Sequence, residues 1–329
     1  MSNKCGTEID RAVSELKQGH LVAIPTETVY GLAANATDTY AVAQIFEAKK
    51  RPSFDPLIVH CENWQRAQEW IAHAPERAHR LAEVLMPGPL TMVLPKNPAI
   101  PDLVTSGLDT VAIRIPSHPL TRELLTRLPF PLAAPSANPF GYVSPTSAQH
   151  VLDQLQDEVA YVLDGGICVV GLESTIVSIT ETGWEVLRLG GMDLADIERI
   201  AGCSPDAVRL SSSRPEAPGM LHTHYAPNKP VFFGSEADFS ALYPNATFVL
   251  LTYLQEGKTD LGPSLAADVK YLSRTSDDKE GAAQIFRYLR ELEHHPADWI
   301  VATPWPEKGL GCAINDRLQR AAASNSLTI

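Results

Sequence analysis

Positively charged residues interrupt or flank several apolar segments of the chain. Lys49, Lys50 and Arg51 follow a helical pattern and precede the apolar stretch PLIVHC. Arg114 lies inside TVAIRIP, and Arg188 lies inside WEVLRLGG. Each of these features alone has an ordinary explanation, since a basic helix end complements the helix dipole and a single strand arginine is common. Together, in a chain of formal net charge -12, they favour an anion site, because guanidinium groups bind carboxylates and phosphates in a bidentate way.

Hydroxyl side chains cluster in two turn-rich stretches, APSANPFGYVSPT and GLESTIVSI, which contain Ser136, Ser144, Ser174 and Thr175. For any one of them, capping of a turn is the commoner role. Together they supply neutral donors that bind phosphate or a substrate hydroxyl without adding charge. The stretch PTETVYGLAANATD at residues 25–38 has a similar character, because it is too polar for a core and too apolar for a solvated loop.

Two ring-bearing residues are further candidates for a site. His60 ends the apolar stretch that follows the basic turn, although an isolated histidine at such a place is more often a satisfied core residue. Tyr225 lies in HTHYAP, where a tyrosine usually packs, although an aromatic residue in a linker also serves as part of a lid.

Several standard signatures are missing from the sequence. It contains no GxxxxGK[ST], GxGxxG, GxSxG or HExxH, so a function that uses nucleotide requires another site design. Its five cysteines form no CxxC pair, which predicts reduced thiols rather than disulfides or zinc. The net charge argues against a surface that coats nucleic acid. The N-terminus lacks a signal-peptide core and no apolar run approaches ~20 residues, so we predict a cytoplasmic protein without membrane association.

Alternating apolar segments predict the elements that position these residues. Strands are expected at LVAIP, PLIVHC, LTMVLP, TVAIRIP, STIVSIT and WEVLRLG, with helices at residues 63–86, 118–128 and 147–155 and one that begins at Thr37 or Asp38. In TVAIRIP the alternation places Arg114 on the opposite face from the branched residues. Because several strands follow one another directly, we predict an α/β fold with a mixed parallel and antiparallel sheet.

The length and one composition change predict the domain organisation. A chain of 329 residues suggests two domains, at ~150 residues each. Residues 203–229 are rich in Ser and Pro and lack periodicity, which is typical of a linker. We therefore expect a catalytic domain at residues 1–202, a linker or lid at 203–229, and a smaller α/β domain at 230–329.

Seven motifs occur in the order of a known family: PTETVYGLAANA, KKRPSFDPLIVH, MPGPLTMVL, VAIRIPSHP, APSANPFGYVSPT, LESTIVSI and VLRLGG. Together they resemble the Sua5/YrdC/YciO family, and in particular its two-domain Sua5 type. The match is dense over about residues 8–200, and APGMLHTHYAP resembles the Sua5 linker. The resemblance implies a YrdC-like twisted mixed sheet around a large basic cavity, followed by a Sua5 C-terminal domain.

The resemblance also implies a reaction. A nucleotidyltransferase of this family converts L-threonine, bicarbonate and ATP into L-threonylcarbamoyl-AMP and pyrophosphate. The product feeds the N6-threonylcarbamoyladenosine (t6A) modification of tRNA through a separate threonylcarbamoyl transferase complex. A carbamate oxygen attacks the α-phosphorus of ATP, so the site needs fixed positive charge more than a protein nucleophile.

The resemblance implies two sets of contacts. L-Threonine is expected to meet Thr28, His60, Arg114 through its carboxylate, the backbone at Ala134, and Ser174. ATP is expected to meet Lys49, Arg51, Asp55, Thr110, Ser136, Ser144, Arg188 and Tyr225. Catalysis is assigned to Lys49, Arg51 and Arg114. Mg²⁺ is expected to arrive with ATP rather than to be held by protein ligands.

One position departs from the family, and one alternative function stays open. The family commonly reads K-G-R-P-S-D-N-P, whereas this chain has Asp55 at the place of the amide. A carboxylate repels polyphosphate unless it meets a cation or the adenosine part of ATP. The alternative is a YciO-like protein that binds nucleotide or RNA without synthase activity, against which the Sua5-type linker and second domain argue.

Overall fold

The computed structural model describes residues 4–212, 215–254 and 264–324 of a chain that divides into two compact units. The first unit comprises Met1–Phe140, Ser144–Val169 and Glu173–Leu221, and the second comprises Gly141–Val143, Val170–Leu172 and His222–Ile329. The predicted linker is therefore shared, with residues 203–221 in the first unit and 222–229 in the second. The domain boundaries at residues 202 and 229 stay predictions.

The strands of the first unit form one sheet. Their bounds are β1 Cys5–Gly6, β2 Val22–Ile24, β3 Gly31–Asn35, β4 Ile58–His60, β5 Leu90–Pro95, β6 Thr110–Arg114, β7 Leu132–Ala133, β8 Tyr161–Leu163, β9 Thr175–Ile179, β10 Trp184–Arg188 and β11 Ala207–Val208. Within the described residues these 11 strands lie in the order β1-β8-β2-β3-β7-β4-β6-β5-β9-β10-β11. Parallel pairs such as β4 with β6 alternate with antiparallel pairs such as β5 with β6, which confirms the predicted mixed sheet.

Helices pack against both faces of the sheet and connect its strands. Their bounds are α1 Ile9–Lys17, α2 Thr39–Lys49, α3 Trp64–Ala67, α4 Glu76–Leu85, α5 Asp102–Thr105, α6 Pro119–Thr126, α7 Ala148–Leu155 and α8 Leu194–Ala201, with a 3₁₀ turn at Gln68–Trp70. The Asp38 side chain accepts hydrogen bonds from the amides of Tyr40 and Ala41 and so caps α2. At the other end of α2, Lys50 adopts the left-handed conformation and turns the chain toward β4.

The two faces of the sheet differ in composition, as the alternation in β6 predicts. Val111, Ile113 and Ile115 belong to the main hydrophobic core beneath the helices. Ala112 joins a separate apolar cluster on the other face, where Arg114 also lies, two residues along the strand. This second face is the one on which the charged and hydroxyl residues gather.

Two local predictions were wrong in detail. The pattern over residues 63–86 does not form one helix, because Ile71 is extended and Pro75 precedes the first turn of α4. Residues 203–229 are not without regular structure, since β11 pairs in parallel with β10. The bridge between Ile71 and Lys96 and the pairing of β11 with β10 join distant parts of the chain, which periodicity does not report, whereas Pro75 is a local signal.

The second unit contains a smaller sheet that is parallel throughout its described strands. Its strands are β12 Val231–Phe233, β13 Phe248–Thr252, β14 Asp268–Tyr271 and β15 Trp299–Ala302, in the order β12-β15-β13-β14, and its helices are α9 Glu236–Leu242, α10 Asp278–Glu293 and α11 Gly311–Ala323. Phe239, Phe248, Leu250 and Val301 form its aromatic-rich core. Among the described residues of both units, no helix is long and apolar enough to cross a membrane.

Candidate active site

A row of paired residues crosses the second face of the large sheet. His60 on β4 lies opposite Arg114 on β6, and Arg114 lies opposite Thr91 on β5. Thr91 is paired with Ile176 on β9, and Ile176 with Arg188 on β10. Directly paired residues project from the same face of a sheet, so this row gathers His60, Arg114, Thr91 and Arg188.

A β-bulge brings Arg188 into this row. Val186 pairs with Val177, whereas Arg188 pairs with Ile176, so β10 contains one extra residue, Leu187, between the two pairs. Such a bulge redirects the side chains that follow it. Val186 consequently belongs to the main core, while the Arg188 guanidinium points to the face that carries Arg114.

Arg188 is tied to the hydroxyl groups at the start of β9. Its Nε donates to the carbonyl of Ser174 and its Nη2 donates to Ser174 Oγ, both at 3.0 Å. Ser174 Oγ also lies 2.7 Å from Thr91 Oγ1. Arg188, which is expected to meet ATP, is thus in direct contact with Ser174, which is expected to meet L-threonine.

A segment of the predicted linker covers part of this face within the first unit. Arg188 Nη1 donates to the carbonyl of Pro218 at 3.0 Å. Ala217 and Met220 are fully buried and pack in the same cluster as Ile58, Val93, Ala112, Ile176 and Leu187. Residues 215–221 therefore form a wall of the site, which the irregular composition of this stretch did not indicate.

The Arg114 side chain forms a buried ion pair that sequence reasoning missed. Its Nη2 donates to Glu27 Oε1 at 2.8 Å, and the two side chains are 4% and 6% exposed. Burial raises the pKa of Glu27, but the charge and hydrogen bond of Arg114 outweigh it, so the pKa lies below its ordinary value. The only sequence signal for Glu27 was an acidic residue within the otherwise neutral PTET stretch.

His60 is held neutral beside this pair. Its Nδ1 lies 3.3 Å from the carbonyl oxygen of Ile58, and the ring is buried. Burial, followed by the adjacent Arg114 charge, lowers the pKa of His60 to about 3. The imidazole therefore supplies a neutral donor or acceptor over the whole physiological range.

The PTET stretch forms a tight turn between β2 and β3. Thr26 Oγ1 accepts hydrogen bonds from the amides of Thr28 and Val29 and donates to the carbonyl of Val29. The Thr28 hydroxyl lies 2.7 Å from Thr26 Oγ1 and is buried. This stretch is a fixed wall of neutral hydroxyls around Glu27, in agreement with its unusual composition.

The basic turn after α2 forms a second corner of the site. Lys49 is 1% exposed, and its ammonium donates to the carbonyls of Ser136 and Asn138. Arg51 donates to the carbonyls of Asp55 and Pro56, at 3.0 and 2.8 Å. Burial, and then the neighbouring Arg51 charge, holds the pKa of Lys49 well below its ordinary value.

Asp55 occupies this corner as a fully buried carboxylate. Arg51 Nη2 lies 2.9 Å from Asp55 Oδ2 as an ion pair, yet neither Asp55 oxygen has an aligned hydrogen-bond donor. Burial raises the pKa of Asp55, and the Arg51 and Lys49 charges offset only part of this effect. A buried carboxylate without hydrogen bonds is unusual, and both of its oxygens can accept a bond from a further donor.

The remaining predicted residues lie in several settings. Thr110 begins β6, half-buried, about 13 Å along the strand from Arg114. Ser144 Oγ donates to the buried Glu173 at 2.5 Å. The Ala134 amide bonds to the carbonyl of Ile58, so a backbone contact to a ligand at Ala134 would use its carbonyl. Ser136 contributes its carbonyl to Lys49.

Tyr225 belongs to the second unit, where it packs against other residues of that unit. Its ring is 1% exposed, stacks on Phe286 with centroids 5.5 Å apart, and lies beneath the Arg317 guanidinium at 4.9 Å. Tyr225 also has a positive φ of 65°, which is uncommon for a residue with a side chain. Its predicted contact with ATP stays a prediction.

The site offers hydrogen-bond donors and charge rather than a metal centre. Across the described ranges, no three or more His, Cys, Asp or Glu residues are grouped so as to hold a metal ion. The first unit buries four cations, Lys49, Arg51, Arg114 and Arg188, and three carboxylates, Glu27, Asp55 and Glu173. The excess of buried positive charge suits anionic ligands.

The chain is similar to proteins of one known family along nearly its whole length. The family model Sua5_yciO_yrdC, described as Telomere recombination, matches residues 14–190, and the model Sua5_C, described as Threonylcarbamoyl-AMP synthase, C-terminal domain, matches residues 192–323. A threonylcarbamoyl-AMP synthase of Pyrococcus abyssi is 40% identical over 318 residues, or 94% of this chain and 93% of the relative. One of Bacillus subtilis is 38% identical over 327 residues, or 96% and 93%. The crystal structure of P. abyssi Sua5 complexed with L-threonine superposes with a TM-score of 0.87 at 37% identity, over 96% of this chain and 94% of that chain.

Proposed function

The chain belongs to the Sua5/YciO/YrdC family, and we propose that it is a nucleotidyltransferase that makes L-threonylcarbamoyl-AMP. The substrates are L-threonine, bicarbonate and ATP, and the second product is pyrophosphate. The observation that carries this proposal is the set of four buried cations in the first unit of a chain whose formal net charge is -12, three of which act on Asp55. Burying so much positive charge is costly unless anionic ligands bind to it.

Arg114 marks the amino-acid end of the face. Its guanidinium provides planar, charge-assisted hydrogen bonds for the threonine carboxylate. The neutral His60, the Thr28 and Ser174 hydroxyls and the carbonyl of Ala134 supply donors and acceptors for the amine and the hydroxyl of the substrate. That the P. abyssi relative was crystallised with L-threonine supports this assignment.

The turn after α2 marks the nucleotide end. Lys49, Arg51 and Arg188 supply positive charge for the phosphates, and Ser136, Ser144 and Thr110 supply neutral hydroxyls. Asp55 suits a hydroxyl of the adenosine part better than a phosphate, because its carboxylate is already surrounded by the charges of Arg51 and Lys49. A metal ion at Asp55 would be repelled by the same charges.

The reaction needs proximity and charge stabilisation more than a protein nucleophile. The threonine amine takes up bicarbonate with loss of water and gives a carbamate. A carbamate oxygen then attacks the α-phosphorus, and the bond to pyrophosphate breaks. Lys49 and Arg51 stabilise the charge that develops on the phosphates, and Arg114 holds the amino acid in line. Mg²⁺ carried by ATP supplies further neutralisation of the polyphosphate.

The product has a high-energy acyl phosphate anhydride and is suited to transfer to a nucleophile. We infer that a threonylcarbamoyl transferase complex consumes it in the t6A modification of tRNA. A transferase is the expected partner because the anhydride in the product is reactive toward nucleophiles.

A pyrophosphate-release assay on the purified full chain tests the proposed function. With ATP and Mg²⁺, release should require both L-threonine and bicarbonate, and a compound with the mass of threonylcarbamoyl-AMP should form. Release that ignores threonine, or no release from folded protein that binds ATP, would contradict the proposal. In that case a salt titration of RNA binding would test the nucleotide- or RNA-binding alternative.

A further inference from the structure

The Glu27 carboxylate is buried and faces the Arg114 guanidinium. Its Oε1 accepts a hydrogen bond from Arg114 Nη2 at 2.8 Å, and its Oε2 accepts one from the backbone N–H of Ser117 at 3.1 Å. The pairing joins residues 87 positions apart in the chain, so the fold and not local sequence creates it.

We propose that Glu27 is a positioning residue for the amino-acid substrate. It holds Arg114 by one nitrogen, Nη2, and so presents Nε of the same guanidinium to the carboxylate of the substrate. The inference rests on the proposed function, in which Arg114 binds the carboxylate of threonine.

Glu27 is itself fixed from two sides. On one side, the Thr26 hydroxyl accepts from the amides of Thr28 and Val29 and closes a turn around Glu27. On the other side, the Ser117 amide holds the oxygen that does not contact Arg114. A carboxylate restrained in this way orients the longer and more flexible arginine, as supporting hydrogen bonds do for binding groups in general.

The Nε atom of Arg114 is buried and has no hydrogen-bond partner. Buried polar groups almost always have a partner, so an acceptor from a ligand is expected at this donor. A carboxylate oxygen forms a short, charge-assisted bond with such a donor.

Glu27 also sets the net charge of this end of the site. The Glu27–Arg114 pair is neutral overall, which suits an amino-acid zwitterion and attracts polyphosphate weakly. The Lys49 ammonium donates to the neutral carbonyls of Ser136 and Asn138, which leaves its charge available to polyphosphate. Glu27 thereby favours the zwitterionic amino acid at Arg114 over polyphosphate.

A purely structural ion pair is the competing explanation. A buried pair contributes little net stability, because the desolvation of both charges offsets their attraction. If Glu27 only supported the fold, its loss would affect the binding of every ligand to the same degree. A role in positioning predicts an effect restricted to ligands with a carboxylate.

The test is calorimetric titration of the full chain with L-threonine and with L-threoninol, which lacks the carboxylate. Glu27→Gln retains an oxygen for Ser117 but removes the charge. We expect its threonine affinity to fall on the order of tenfold or more. The affinities for threoninol and ATP should stay within about twofold of the wild type. Glu69→Gln is the matched control, because it removes an exposed ion pair with Arg66.

Equal losses for threonine and threoninol, or a parallel loss of ATP binding, would overturn the inference. Glu27→Asp, which keeps the charge, should bind threonine better than Glu27→Ala, and equal affinities would also overturn it. The titration requires no turnover. A wild-type protein that binds threonine but makes no product would contradict the proposed function, while the Glu27 comparison would still decide the role of this residue.

Discussion

His60 lies directly opposite Arg114 in the parallel register of β4 and β6, and both side chains are buried on the same face of the sheet. Burial opposes a positive charge on His60, and the Arg114 charge opposes it further. A neutral imidazole beside a guanidinium provides both a charged and an uncharged hydrogen-bonding group for one end of an amino acid.

This arrangement predicts a pH dependence of stability. The pKa of His60 is about 3 in the folded protein against an ordinary value of 6.5, so below pH 6.5 the unfolded chain binds the proton more readily. Stability is therefore lost as the pH falls from 6.5 toward 3. At about pH 5 the loss amounts to about 2 kcal/mol.

Urea unfolding at about pH 7 and about pH 5 measures this effect. The wild type should lose more free energy of unfolding over this interval than His60→Gln, which cannot titrate at this position. His73→Gln, a change at a half-exposed histidine, should behave like the wild type. An equal pH dependence in the wild type and His60→Gln would show that the imidazole is protonated in the folded state.

The lowered pKa of Lys49 predicts that the protein takes up a proton when ATP binds. Burial lowers the pKa of its ammonium in the free protein, whereas a bound polyphosphate would raise this pKa again. The binding enthalpy of ATP should therefore depend on the ionisation enthalpy of the buffer, in the direction of net proton uptake by the protein.

Calorimetry in two buffers compares Lys49→Met with Lys50→Gln. Lys50 is the exposed neighbour of Lys49 and serves as the matched control. The uptake should disappear in Lys49→Met, together with most of the ATP affinity, and persist in Lys50→Gln. If Lys49→Met still takes up a proton when it binds ATP, a group other than Lys49 is responsible.

The unsatisfied carboxylate of Asp55 predicts that the protein prefers nucleotides with ribose hydroxyls over nucleotides without them. Its two carboxylate oxygens are buried without hydrogen-bond donors, and the ribose hydroxyls are neutral donors that would satisfy them. The wild type should bind ATP on the order of tenfold more tightly than 2′,3′-dideoxy-ATP. Asp55→Ala should lose this preference by binding ATP less tightly.

The same comparison includes Asp55→Asn. An amide retains one acceptor oxygen, so a partial preference for ATP should remain. Tighter binding of both nucleotides by Asp55→Asn would instead show that the carboxylate repels the phosphates.

Local pattern was sufficient to predict β2, β4, β5, β6, β9 and β10 and the face on which Arg114 lies, whereas β1, β3 and β11 were not predicted. Alternation in β6 separates Arg114 from Val111, Ile113 and Ile115, and the structure places these three residues in the main core. The mixed sheet followed in the same way from strands that succeed one another without a helix. These are properties of neighbouring residues, which a single sequence records directly.

Other features depend on contacts between distant residues and were not predictable from pattern. Glu27 meets Arg114 only when β6 lies near the turn after β2. The bulge that redirects Arg188 reflects the pairing of β10 with β9, and the packing of Met220 reflects the apolar cluster beneath it. Single-sequence periodicity contains no signal for such pairings.

Arg114 is the residue that we propose binds the threonine carboxylate during synthesis of threonylcarbamoyl-AMP. The most direct measurement is threonine-dependent pyrophosphate release by Arg114→Lys, with Arg127→Lys as a control at an exposed arginine that pairs with Asp10 and Glu123. Lysine keeps the charge but loses the bidentate geometry. The account predicts that Arg114→Lys raises the KM for threonine on the order of tenfold or more while the KM for ATP and the Arg127→Lys kinetics stay near the wild type. An unchanged KM for threonine in Arg114→Lys, or an equal rise in both KM values, would contradict it.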